Sequence, residues 1–139
     1  MAAGTDAGGP ASRKALWTGR ILSGLAVLFL LFDAALKLMK LRVAINATIE
    51  LGYSAQFVLW IGAIEFICLL LYVIPRTSIL GVILLTGYLG GAVVTHVRVG
   101  NPLFSHVLFP IYIALLLWGG LFLREGRLRS LIPFQSQTE

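Results

Sequence analysis

Charge is what this sequence has least of. Only 12% of its 139 residues are Asp, Glu, Lys or Arg, about half the share of an average soluble domain. That leaves too little polar surface to coat a globule, which excludes an ordinary water-soluble fold. Cysteine is almost absent as well. Cys68 is the single one, so an intramolecular disulfide, a CxxC redox pair and a thiolate metal site are all excluded. A small buried hydrophobe is the role left for it. Acidic residues number 6 against 11 Lys and Arg, for a net charge of +5. No basic stripe interleaves with aromatics outside the apolar segments, so the excess does not describe a nucleic-acid binder. In a membrane protein, such an excess gathers in loops and sets orientation.

What the chain has instead is apolar length. Hydrophobic residues make up 58% and mean hydropathy is +0.92. Spans of about 20 residues, as a bilayer requires, use most of the chain. Residues 1–15, rich in Ala, Gly, Ser and Pro, read as a disordered cytoplasmic tail, and 134–139 as a flexible C-terminal one. Between them, 16–133 read as one membrane domain. Its first run, Leu16 to Met39, exceeds a secretory h-region of about 7–15 residues and is a retained span. The second, 54–74, starts at Ser54 and stops before Pro75. The third, 77–97, opens on two capping residues, Thr77 and Ser78. The fourth, 101–123, opens on Asn101 followed by Pro102. Short links make consecutive spans antiparallel. The expected fold is all-α: an antiparallel four-helix transmembrane bundle. The connection at 40–53 alternates polar and apolar residues as a strand would. A lone strand at a membrane leaves its backbone unpaired, so a short interfacial helix is expected there.

Polar residues inside the spans carry the functional signal. Asp33 and Lys37 are spaced i,i+4 on one helical face, acid before base. Either Lys37 snorkels to the interface and neutralises Asp33, or both serve a site. Glu65 lies near mid-membrane with no basic neighbour in sequence. It is either protonated and bonded to Thr86 or a backbone carbonyl, or paired with a group on another helix. His96 ends the third span, His106 begins the fourth, and Arg98 lies between them. Glu65, His96 and His106 are therefore the candidate catalytic residues, with Asp33, Lys37 and Arg98 as a supporting polar cluster. They should line one cavity with Glu65 at its floor. Such a set could exchange protons with a quinone or act as acid and base on a lipid-like substrate. Two His and two carboxylates are also metal-ligand types. Glu65 looks too deep to join the others around an ion, so no metal is expected. Gly87, Gly91 and Thr95 form a small-xxx-small ridge suited to close helix packing. Pro110 should open the fourth helix near His106.

The block "GAIEFICLLLYVIPRTSILGVILLTGYLGGAVVTHVRVGNPLFSHVLFP" and the later "WGGLFLREGRLRSLIP" resemble the DoxX-like family of small four-helix bacterial membrane proteins. "FDAALKL" and "ELGYSAQF" resemble its first span and following loop. The resemblance implies a multi-pass protein of the bacterial inner membrane. It maps the family pattern onto Asp33, Lys37, Glu65, His96, Arg98 and His106. It also implies a redox accessory or quinone-site subunit, with a quinone as cofactor and a membrane or redox protein as partner. A small acid-base enzyme and a structural or assembly factor are the alternatives, and self-association is compatible with each.

Orientation follows from the basic residues. Arg13, Lys14, Arg20, Arg76, Arg124, Arg127 and Arg129 fall on one side, and Lys37, Lys40, Arg42 and Arg98 on the other. The richer side faces the cytoplasm, which puts both termini there. An impermeant thiol reagent should therefore label an Arg42→Cys variant in intact cells, and an Arg129→Cys variant only after permeabilisation. The reverse pattern would invert the topology.

Overall fold

The computed structural model describes residues 12–132. Most of both expected tails lies outside these residues. Helix α1 (Arg13–Leu38) begins earlier than the first apolar run suggests, because Ser12 Oγ accepts from the Ala15 N–H at 3.2 Å and caps it. Next come α2 (Arg42–Glu50), α3 (Phe57–Val73) and α4 (Ser78–Arg98). A π-helical segment, Leu103–Val107, leads into α5 (Phe109–Arg124), and α6 (Gly126–Leu131) follows. There is no strand among the described residues. The alternating 40–53 segment folds as the interfacial helix α2.

Local chemistry sets these boundaries. Helix α2 ends in a Schellman motif: the Gly52 N–H donates to Ile49 O at 2.9 Å and the Tyr53 N–H to Thr48 O at 3.1 Å. Gly52 supplies the required left-handed conformation, φ +86°. The same motif closes α1 at Lys40 and α4 at Gly100. Thr77 and Ser78, expected as caps of α4, instead donate to Leu71 O (2.8 Å) and Pro75 O (3.2 Å), finishing α3. Ser54 does not cap α3, whose first residue is Phe57 because 54–56 are spent in a turn. Pro110 acts as expected. It begins α5 rather than continuing a helix, and the preceding turn widens to π geometry, with Leu108 N–H donating to Leu103 O at 2.9 Å.

The four long segments form a closed ring in which α1 and α4 each pack between α3 and α5. Helix α1, helix α4 and the Leu103–Arg124 stretch are long and apolar enough to cross a membrane; α3, at 17 residues, is the shorter apolar member. Large apolar side chains point away from the bundle, Leu28 and Leu115 each being 66% exposed, as lipid-facing surface requires. Inside, the two halves differ. The half nearest the start of α1 and the end of α5 is tightly filled by Leu30, Leu69, Tyr72, Val82, Leu85, Leu117 and Leu121. Helices touch there through glycine. A Cβ on Gly19 would lie 2.8 Å from Gly120 O, and one on Gly81 would collide with the Tyr72 backbone. The other half, under α2, is hollow.

This contrast predicts opposite outcomes for two alanines on one helix. Gly81→Ala should lose roughly 1–3 kcal/mol by forcing α3 and α4 apart. Gly87→Ala meets nothing within 4 Å and should be neutral or gain up to about 1 kcal/mol of helix propensity. Thermal unfolding in one detergent compares them directly.

Candidate functional site

The hollow half owes its space to residues with little side chain. On α4, Gly87, Gly90 and Gly91 have nothing within 4 Å of a would-be Cβ. The ridge expected to bring helices together therefore does the reverse: its missing side chains leave room. The result is a cavity of about 780 Å³, roofed by α2 and walled by α1, α3, α4 and the start of α5. Phe29, Phe57, Trp60 and Phe109 give it an aromatic, apolar lining. Val43 and Trp60 on its walls are 71% and 66% exposed, so it communicates with the bundle exterior beside α2.

One polar cluster interrupts this lining. Lys37 Nζ donates to Asp33 Oδ2 (2.5 Å), to Glu65 Oε2 (2.8 Å) and to the Tyr88 hydroxyl (2.9 Å). All three ammonium hydrogens are thereby used. The Tyr88 hydroxyl in turn donates to Glu65 Oε2 at 2.9 Å. Helical side chains lean toward the N-terminus of their own helix. Lys37, near the end of α1, therefore points down into the bundle. Its side chain is only 15% exposed, which corrects the snorkelling expectation. Gly62 makes the reach possible, because any Cβ there would lie 2.6 Å from Lys37 Cβ. Glu65 stands one turn further along α3. It is fully buried, and its Oε1 has no hydrogen-bond partner among the described residues. Two carboxylates face one ammonium, so full ionisation would leave one negative charge in excess.

The other expected site residues fall into separate places. His96 lines the cavity, and its Nδ1 accepts from Asn101 Nδ2 at 2.7 Å. Its ring meets that of His106 edge-on, with centroids 5.8 Å apart. His106 and Glu65 are not among the cavity-lining residues. Glu65 lies behind Lys37 and Tyr88 rather than at an open floor, and it bonds Lys37 rather than Thr86, which accepts from Trp118 Nε1 at 2.7 Å. Arg98 holds the roof in place. Its Nη2 donates to Leu51 O at 2.7 Å, and its guanidinium lies 5.5 Å from the Tyr53 ring centre. Tyr53 OH shares a hydrogen bond with Thr95 Oγ1 at 3.0 Å. Among the described residues, no three His, Cys, Asp or Glu cluster to hold a metal. Tyr88 is the member that sequence reasoning missed. Its spacing from Gly87, Gly91 and Thr95 shows the right face only once that face is known to be hollow.

The cluster gives a sharp mutational expectation. Lys37→Met leaves the fully buried Glu65 carboxylate uncompensated and should lose about 3–5 kcal/mol. Asp33→Asn should cost less, because Asp33 is 37% exposed and Glu65 still pairs with the ammonium. Lys37→Met combined with Glu65→Gln should recover more than half of the loss. A double-mutant cycle on unfolding free energy measures the coupling, and additive losses would refute it.

No curated protein and no solved structure matches the chain. Residues 21–120 match the DoxX-like family, a stretch that takes in α2, α3 and α4 whole and the entire Lys37 cluster. The chain belongs to the DoxX-like family of membrane proteins.

Proposed function

We propose that this protein is a membrane-embedded subunit that binds a quinone-like molecule in the α2-roofed cavity and serves a redox assembly. The carrying observation is an aromatic, apolar cavity of about 780 Å³ whose polar wall is a hydrogen-bonded Asp33–Lys37–Tyr88–Glu65 cluster. The residues suit such a group. Phe29, Phe57, Trp60 and Phe109 offer ring faces and edges to a planar ring, and His96, on the same cavity wall, offers its Nε2–H to a carbonyl. A quinone held there would supply reversible electron and proton transfer. The protein's own part is to bind, orient and move protons: Lys37 and Tyr88 hold the carboxylates, and Asp33, partly exposed at the cavity, can exchange protons with it. Cys68 is buried and alone, so the chain has no thiol pair of its own and electrons would pass to a partner protein. The basic-residue count supports an inner-membrane orientation with both termini cytoplasmic.

The same cluster would serve an acid-base enzyme acting on a lipid-like substrate, and one set of measurements separates the two. A short-chain benzoquinone added to purified protein should raise its melting temperature. Gly91→Leu, which fills the cavity, should abolish that rise. Tyr88→Phe, which loosens the cluster by removing the hydroxyl's two hydrogen bonds, should weaken binding about 3–10-fold. No rise in the wild type, or an unaltered rise in Gly91→Leu, would overturn the quinone reading. Unaided turnover of a hydrophobic substrate would favour the enzyme.

A further inference from the structure

A second, smaller cavity lies at the opposite half of the bundle. It has about 200 Å³ and is lined by Arg20, Ser23, Gly24 and Val27 of α1, Tyr72 and Val73 of α3, and Arg124 of α5. The two cavities share no lining residue. This one contains two guanidinium groups and no carboxylate. Among the described residues, neither arginine forms a salt bridge, and the nearby Glu125 is engaged by Arg127 at 3.2 Å.

One of the two arginines is held in a fixed pose by buried hydroxyls. The Tyr72 hydroxyl donates to Leu117 O at 2.9 Å, which leaves the Ser23 hydroxyl to donate to Tyr72 at 2.8 Å. Arg124 Nε then donates to Ser23 Oγ at 3.2 Å, and the guanidinium lies 5.2 Å from the Tyr72 ring centre. Nε and one face are thereby occupied, and among the described residues nothing bonds the two Nη groups, which are left for a ligand. Arg20 lies 5.6 Å from the Trp17 ring centre, a residue 58% exposed on the lipid-facing side of α1. Gly24 lines the same cavity and adds no side chain to it, a Cβ there meeting nothing within 4 Å. Paired guanidinium forks match the tetrahedral oxygens of phosphate. The apolar flank of Val27 and the half-exposed Val73 matches an acyl chain beside it. We propose that this groove binds a phosphate group, of the kind carried by an anionic phospholipid or by a free phosphate ester.

Native mass spectrometry and thermal unfolding of the full chain test this with three probes: phosphatidylglycerol, phosphatidylcholine and inorganic phosphate. Phosphatidylglycerol should be retained over phosphatidylcholine, and Arg20→Gln should cut that preference about five-fold. Gly24→Leu, which fills the groove while keeping both charges, should cut it as well. Arg76→Gln, which removes a basic residue outside the groove, should not. Stabilisation by inorganic phosphate that Arg20→Gln abolishes would support the same site and identify a free phosphate as its source. Equal retention of the two lipids without such phosphate stabilisation would overturn the proposal. So would a preference lost in Arg76→Gln but kept in Arg20→Gln and Gly24→Leu.

Discussion

The ammonium group of Lys37 is the only cation in contact with a fully buried carboxylate, Glu65, among the described residues. It joins α1 to α3 through Glu65 and to α4 through Tyr88, at the level where the packed half of the bundle gives way to the hollow half. Apolar packing cannot hold these helices at that level, because α4 presents glycine there. A charge-assisted hydrogen-bond network takes over that task. Removal of Lys37 alone would strand the Glu65 carboxylate away from water. The arrangement therefore fixes helix positions and keeps ionisable groups beside the cavity with the same atoms.

The division into two halves explains how so small a chain contains a cavity at all. Leucines, with Tyr72 and close glycine contacts between α1 and α5 and between α3 and α4, secure one end. The other end is fastened around its edge, by Arg98 to Leu51, by Tyr53 to Thr95 and by the Lys37 cluster. Stability is thus concentrated away from the space that a ligand would occupy.

Much of the fold was readable because hydropathy and punctuation agree. Pro75, Gly100 and Pro102 mark real boundaries, and unpaired backbone at a membrane forbids the strand that 41–53 imitates. The polar cluster was readable only in part, since Tyr88 gave no signal and, among the described residues, neither His96 nor His106 bonds to it. Asp33, Lys37 and Glu65 stand out because ions are costly in a span, yet which ones meet depends on side-chain direction. Lys37 near a helix end could point outward or inward, and only the close approach at Gly62 decides it. Small residues posed the same difficulty. Gly81 and Gly87 look equivalent in sequence, but one is a contact and the other a gap. Their difference lies in the neighbouring helix, which no local pattern encodes.

The row of glycines on α4 has a mechanical side. Where Gly87 and Gly91 face the cavity, α4 has no knobs to seat between its neighbours, and the Tyr88 hydrogen bonds to Lys37 and Glu65 hold it instead. Each glycine also gives up about 1 kcal/mol of helix propensity relative to alanine. At Gly87 and Gly91 the cavity wall therefore has fewer side-chain contacts than the packed half of the bundle. A molecule that fills the cavity replaces the missing side chains and stiffens that wall. By linkage, the occupied protein resists unfolding in proportion to the logarithm of ligand concentration over its dissociation constant. For a membrane-dissolved molecule that binds there, the rigidity of this half of the bundle would follow its supply.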